Sequence, residues 1–371
     1  MLSLARVRLL FTTENANAPT YAATLGVPSQ VEDVSGALGR GGYEGIQSDN
    51  YGNIWIVEDI GGPNKTDPTT GASTTARRPN SFVYRYVPHR PGDLHHGKLQ
   101  VLQVMVGDHP ATFESMGTMN APDQIAIRTY GLWFRTRWVT VHDTAVDGNV
   151  PFNANTAAKA VQGTPFKRPE NGVFRPGSHF REFFFVETGD TDSTSPENGT
   201  GGGWTSLFRL VQRSADDDEG RIALFFQSKS ATVAGLDNVT FLSRDKLLAV
   251  EDAGDKLHGQ RNALDSGFVF DVDTDYSSGA QPVRFLAEGR DASATLDSAN
   301  GGFGKNDQDN EITGIHVSDG DPSVNGILGA KVPRFGHDGW RMFWTQQHGD
   351  NITWEVTRAK HGDNDDDHDD W

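Results

Sequence analysis

The sequence predicts an all-β fold, a six-bladed β-propeller in one domain, and three observations predict it. A strand motif led by an acidic residue recurs along the 371 residues. The composition, with 42 Gly, 17 Pro and 10% aromatic residues, suits short strands and tight turns better than long helices. Between the motif copies lie segments that alternate apolar and polar residues with period two, the signature of half-buried strands.

The motif is an acid, a short strand, a turn and a second apolar strand that ends in a polar cluster. Glu44-Gly45-Ile46 leads to Ile54-Trp55-Ile56-Val57-Glu58-Asp59. A looser copy runs from Asp123-Gln124-Ile125 to Trp138 through Asp143. Arg168-Pro169-Glu170-Asn171 leads to Phe183 through Asp190, and Asp237-Asn238-Val239 to Leu247 through Asp252. The fifth copy joins Glu311-Ile312-Thr313-Gly314 to Phe343-Trp344-Thr345-Gln346-Gln347-His348. The leading acids are spaced 79, 47, 67 and 74 residues apart, and a four-stranded blade with loops needs about 40–50 or more. Five copies therefore read as five blades. Residues 4–11 read as the second strand of a sixth, which a strand at 352–356 would complete, closing the ring. Outer strands are expected at 81–87, 99–105, 206–211, 222–227 and 267–272. The propeller thus spans residues 1–357. Residues 358–371, a block of Asp, Asn and His with few apolar groups, read as an acidic disordered tail.

The formal net charge is −17, which repels nucleic acid and other polyanions. No apolar run is long enough to span a bilayer, so neither nucleic acid nor membrane is expected as a partner, and a monomer is. There is no cysteine, which removes disulfides, thiolate metal sites and cysteine nucleophiles. The first residues lack the apolar core of an export signal. The segment from Thr194 to Gly199 has the composition of a flexible linker, not of a nucleophile elbow around Ser195.

In a propeller, equivalent innermost positions form a ring about the axis. Glu44, Glu170, Asp237 and Glu311 should then converge at one mouth of the channel. Like charges this close repel and raise one another's pKa, a conflict that a multivalent cation removes. A ligand set made only of oxygen suits hard ions such as Ca²⁺ or Mg²⁺. Glu14, Asn15, Glu58, Asn171, Asn238 and Glu251 are further candidates on the same loops and strand ends. Arg168 is a candidate for contacting phosphate or for pairing with Glu170.

The segments Arg168-Pro169-Glu170, Asp237-Asn238-Val239, Glu311-Ile312-Thr313-Gly314 and Phe343 through His348, with Ile54 through Asp59, resemble those of PhoX-type alkaline phosphatases. The resemblance implies an exported, periplasmic or extracellular phosphohydrolase that acts on small phosphorylated organic compounds. It implies several Ca²⁺ ions, with Glu170 and Glu311 among their ligands; Arg168 and Asn171, the latter standing where the family has an aromatic residue, complete the expected catalytic set. Iron accompanies calcium in the best understood members, but Val57 stands where the family's cysteine ligand precedes the acidic pair. Asp309 and Asn310 replace the family's phosphate-contacting arginine, which points towards diesters or triesters of lower charge. Two other readings fit the same repeat: a calcium-dependent lactonase or arylesterase, and a non-catalytic binding propeller that calcium only stabilises.

Overall fold

The computed structural model describes residues 8–13, 15–261, 263–287, 311–327, 329–347 and 352–358. Glu14, Asp309, Asn310, His348 and the tail beyond Arg358 lie outside them. The fold is an all-β propeller. Among the described residues no helix is long and apolar enough to cross a membrane.

The chain begins with a three-stranded antiparallel sheet of β1 (Arg8–Phe11), β2 (Tyr21–Thr24) and β3 (Val31–Asp33). The first blade follows, with β4 (Tyr43–Ser48) innermost and β5 (Ile54–Glu58) beside it. A small hairpin, β6 (Asn64–Thr66) and β7 (Ser73–Arg77), projects before the outer strands β8 (Val83–Pro88) and β9 (Gly97–Val106). The short strand β10 (His109–Pro110) pairs with β9, and β11 (Phe134–Asp143) follows. The second blade comprises β12 (Pro169–Phe174), β13 (Glu182–Glu187), β14 (Ser206–Gln212) and β15 (Glu219–Gln227). The third comprises β16 (Leu236–Phe241), β17 (Lys246–Glu251), β18 (Ser266–Asp271) and β19 (Val283–Ala287). The fourth has β20 (Glu311–Ser318), β21 (Arg341–Gln347) and β22 (Thr353–Val356). All five predicted outer segments are strands, as β8, β9, β14, β15 and β18.

Side-chain alternation explains how these sheets stack, because successive residues of a strand face opposite sides. Trp55 and Val57 of β5 pack towards the second blade, against Phe183 and Phe185; Ile54 and Ile56 pack the other way, with Ala22 of β2. Phe184 and Val186 of β13 meet Leu247 and Ala249 of β17. Leu248 and Val250 of the same strand meet Ile312 of β20 and Met342 of β21. β5, β13 and β17 are therefore each sandwiched between two cores, and both their faces are apolar. The largest core is aromatic: Trp55 lies 5.0 Å from the rings of Trp138, Phe174 and Phe183. Burying each such side chain contributes about 1.5–3 kcal/mol relative to leaving it exposed.

The structure corrects three expectations. Asp123, Gln124 and Ile125 do not begin a blade; they lie in a short helix, Pro122–Ile127, started by a proline at its first turn. The strand that follows, β11, pairs with β9 on one side and β15 on the other. It thus joins the outer edges of the first two blades into one curled sheet, whose end strands β4 and β12 meet again near the axis. The predicted C-terminal strand exists, but β22 pairs with β21, while β1 pairs with β2. Finally, the stretch around Ser195 is not a loose linker. Ser195, Glu197 and Asp190 are buried, and Ser195 Oγ donates to Asp190 Oδ2 at 2.6 Å.

Candidate metal centre

Four inner strands share one irregularity. In β4, the two residues between Tyr43 and Ile46 oppose the single residue Val57 of β5. The same step occurs from Pro169 to Gly172 in β12, from Leu236 to Val239 in β16, and from Thr313 to His316 in β20. A bulge re-aims side chains and leaves its extra residue outside the ladder. The first residue inside it is Glu44, Glu170 and Asp237 in the first three strands. In the fourth it is Gly314. Glu311 therefore does not share the register of the other three: it stands three residues earlier on β20, directly opposite Gln347.

The bulges bring Glu44, Glu170 and Asp237 together, with one carboxylate oxygen of each within 4.8 Å of the others. Glu170 is 2% exposed and Asp237 1%. Among the described residues neither oxygen of Asp237 accepts a hydrogen bond; Asn238 is close enough to ease its charge only weakly. Burial, then Glu44, Asp252 and Glu311, hold the Asp237 carboxyl well above the usual range. Glu170 is raised in the same way, chiefly by burial, against the pull of Arg168 and with the push of Asp59, Asp237 and Asp252. A buried carboxylate with no donor is costly, and a coordinated cation supplies what is missing. Three oxygen donors from three strands, with no sulfur or imidazole among them, fit a hard divalent ion of the Ca²⁺ class.

The second bulge positions tie the blades together sideways. Asn171 Nδ2 donates to Asn238 Oδ1 at 2.9 Å, and Asn238 Nδ2 reaches Thr313 Oγ1 at 3.4 Å. In β4 this position is Gly45, and the reason is space. A Cβ there would lie 2.8 Å from Asn171 Cα and 2.9 Å from the Glu170 carbonyl oxygen. Gly45→Ala should push β4 off β12, move Glu44 away from Glu170 and weaken Ca²⁺ affinity by about 10- to 100-fold, the usual cost of losing ligand support. Isothermal titration would check this; an unchanged affinity would show that the spacing of the two bulges is immaterial.

The strand ends divide by the same alternation. Asp59, one residue past β5, accepts from Arg168 Nε and Nη2 at 3.0 Å each. Asp252 lies close enough to Glu170 and Asp237 to raise both, and its own carboxyl is pushed up to about 6 by burial and Asp265. Their neighbours Glu58 and Glu251 turn away from the three acids. Glu251 accepts from Ala234 N–H, Ser266 N–H and Arg261. Glu58 accepts from Asn155, Phe82 N–H and Tyr84. Both hold turns. Asn15 sits in an exposed turn, where it accepts from Asn17 N–H.

Burial pushes the Glu58 carboxyl up to about 8, against the pull of its three donors and of Lys159. An acid raised on folding binds its proton more tightly in the folded state, so its stabilising contribution is full below pH 4.5 and is lost as pH rises through 8. The thermal midpoint of calcium-free protein should fall from pH 5 to pH 9, less steeply in Glu58→Gln. Parallel slopes would refute the assignment.

The strand-end pairs Glu58-Asp59 and Glu251-Asp252 are visible in the sequence, but which member of each turns inward is not stated by the motif alone. Asp59 and Asp252 each follow a buried Glu at the end of a second strand, where the next side chain must point the other way. Ala253 and Gly254, which follow Asp252 in the chain, line with the hairpin β6–β7 and the loop at Asp190 an open polar cleft of about 390 Å³, edged by Asn64, Thr75 and Arg77.

Comparison with known proteins agrees with this architecture. The chain matches the family Alkaline phosphatase PhoX over residues 66–325, well over half its length. Among solved structures it resembles Pseudomonas fluorescens PhoX in complex with vanadate, a transition state analogue, with a TM-score of 0.50 and 15% identity. The match covers 89% of this chain but 52% of that one, so the chain spans about half the length of that structure. No curated protein gave a match.

Proposed function

Because the chain belongs to the PhoX alkaline phosphatase family, we propose that it is a metal-dependent phosphoester hydrolase, exported and acting on small phosphorylated organic compounds from a single propeller domain. One observation carries the reading: three acids from three separate bulges meet within 4.8 Å, and one of them has no hydrogen-bond donor among the described residues. Glu44, Glu170 and Asp237 would hold Ca²⁺, with Glu311 close enough to Asp237 to add a fourth carboxylate. Bound cations would supply neutralisation of the phosphoryl oxygens as charge moves between the attacking and leaving oxygens. With a net charge of −17, the chain needs such a centre to attract an anion.

The residues around the centre have definable tasks. Asp59 fixes the Arg168 fork, which in turn orients Glu170 from 2.7 Å. Asn171 and Asn238 hold neighbouring bulges at constant spacing. The cleft edged by Asn64, Thr75 and Arg77 has room for the organic part of an ester. Asp309 and Asn310, in place of the family's arginine, favour diesters and triesters, whose lower charge needs less cationic help.

The test is one purified sample assayed on p-nitrophenyl phosphate, bis-p-nitrophenyl phosphate, paraoxon and a lactone, before and after EDTA, with calcium added back. Calcium-restored turnover of a phosphoester is expected. Turnover of the lactone alone, or full activity after exhaustive chelation, would overturn the reading.

A further inference from the structure

Six carboxylates crowd the mouth of the channel: Glu44, Glu170 and Asp237 at the bulges, with Asp59, Asp252 and Glu311 close enough to perturb them. A permanent cation stands among them. Arg168 makes a two-pronged contact with Asp59, through Nε to Oδ1 and Nη2 to Oδ2 at 3.0 Å each. Nη2 also lies 2.7 Å from Glu170 Oε1, although its direction is wrong for a hydrogen bond, and that buried oxygen gains charge but no donor. Asp252 is a further negative group within its field. Arg168 takes a backbone φ of +54°, a strained position for a residue with a side chain, which costs about 1–3 kcal/mol. Its carbonyl accepts from Thr188 N–H, which pins the strained turn. The arginine is aimed inward by a backbone that would otherwise relax.

A guanidinium carries one charge that chelators cannot remove, where a divalent ion would carry two. We propose that the Arg168 guanidinium fills, within this acidic centre, a place that a divalent cation would otherwise take, so that Asp59, Glu170 and Asp252 form a latent second cation site beside that of Glu44, Glu170 and Asp237. This rests on the reading of the centre as a cation site. A second observation points to a ligand within this set: Glu170, 2% exposed, keeps its buried Oε1 without a hydrogen-bond donor even with Nη2 at 2.7 Å. The inference explains how six acids can sit together with one of their counter-charges supplied by the chain itself.

The test counts ions. Wild type, Arg168→Ala, Arg168→Gln and Arg168→Lys are stripped with EDTA, dialysed against calcium in chelator-free buffer and analysed for calcium per chain, with near-ultraviolet circular dichroism to report folding. Both the Ala and the Gln variants should bind one more calcium per chain than wild type, and the Lys variant, which keeps a charge, the same number as wild type. Asp59→Asn added to Arg168→Ala should remove the extra ion. Calcium on wild type with no gain in the Ala or Gln variant overturns this inference alone. So does failure of both variants to fold in millimolar calcium, since the ion must be able to replace the guanidinium. No calcium on wild type overturns the underlying reading of the centre as well.

Discussion

Asp237→Asn is expected to lower turnover of p-nitrophenyl phosphate by about 100- to 1,000-fold, the several kcal/mol of charge stabilisation that a lost cation ligand represents at ~1.4 kcal/mol per decade. The same substitution should raise the thermal midpoint of the calcium-free protein. Asp237 is buried without a hydrogen-bond donor and faces the charges of Glu44, Asp252 and Glu311. Removing its charge removes that repulsion while keeping the shape of the side chain. A residue that merely holds the fold would lose stability and activity together. Loss of activity with a gain in calcium-free stability is the signature of a ligand, and stability lost in EDTA would sink the assignment.

The second large effect lies behind the centre. Glu197 is buried between two lysines, with Lys65 Nζ at 2.8 Å and Lys167 Nζ at 2.7 Å, and Gln124 Nε2 donates to it at 3.0 Å. Lys167 also binds Asp190 at 2.9 Å. Glu197→Ala leaves two buried ammonium groups short of a counter-charge, and breaking a buried pair from one side costs about 3–5 kcal/mol. Lys65 can shed part of this strain, because burial already pushes it down to about 8. Urea unfolding at pH 7 and pH 9 would measure both: a loss of about 3–5 kcal/mol at pH 7, smaller at pH 9 where Lys65 deprotonates. A loss below about 1 kcal/mol would mean that the network is not a support of the fold. Since Lys167 precedes Arg168 in the chain, calcium affinity should weaken with stability.

The propeller was legible because its evidence is local. Alternation in Ile54–Glu58 or Lys246–Glu251 needs no partner to be read, and neither does the acid that opens each motif. Copies that departed from the pattern misled for equally physical reasons. Asp123-Gln124-Ile125 has the acid and the apolar residue of the motif, but the preceding Pro122 suits the first turn of a helix and so fits the helix observed there. Ser195-Pro196-Glu197-Asn198 has the polarity of a loop, and its burial follows from Lys65 and Lys167, which are far away in the chain.

The centre divides along the same line. Glu44, Glu170 and Asp237 could be named from the repeat, since each opens a strand in the same local context. Glu311 looked equivalent for the same reason, yet pairing with β21 puts the bulge three residues later, at Gly314. Register is a property of two strands and their hydrogen bonds, and no single segment encodes it. The inward turn of Asp59 and Asp252, the outward turn of Glu58 and Glu251, and the seating of Arg168 among the acids are likewise set by packing across blades. Residue type and period two are written along one strand and can be read there; which carboxylates share a cation depends on contacts between segments up to hundreds of residues apart, and those exist only once the blades have stacked.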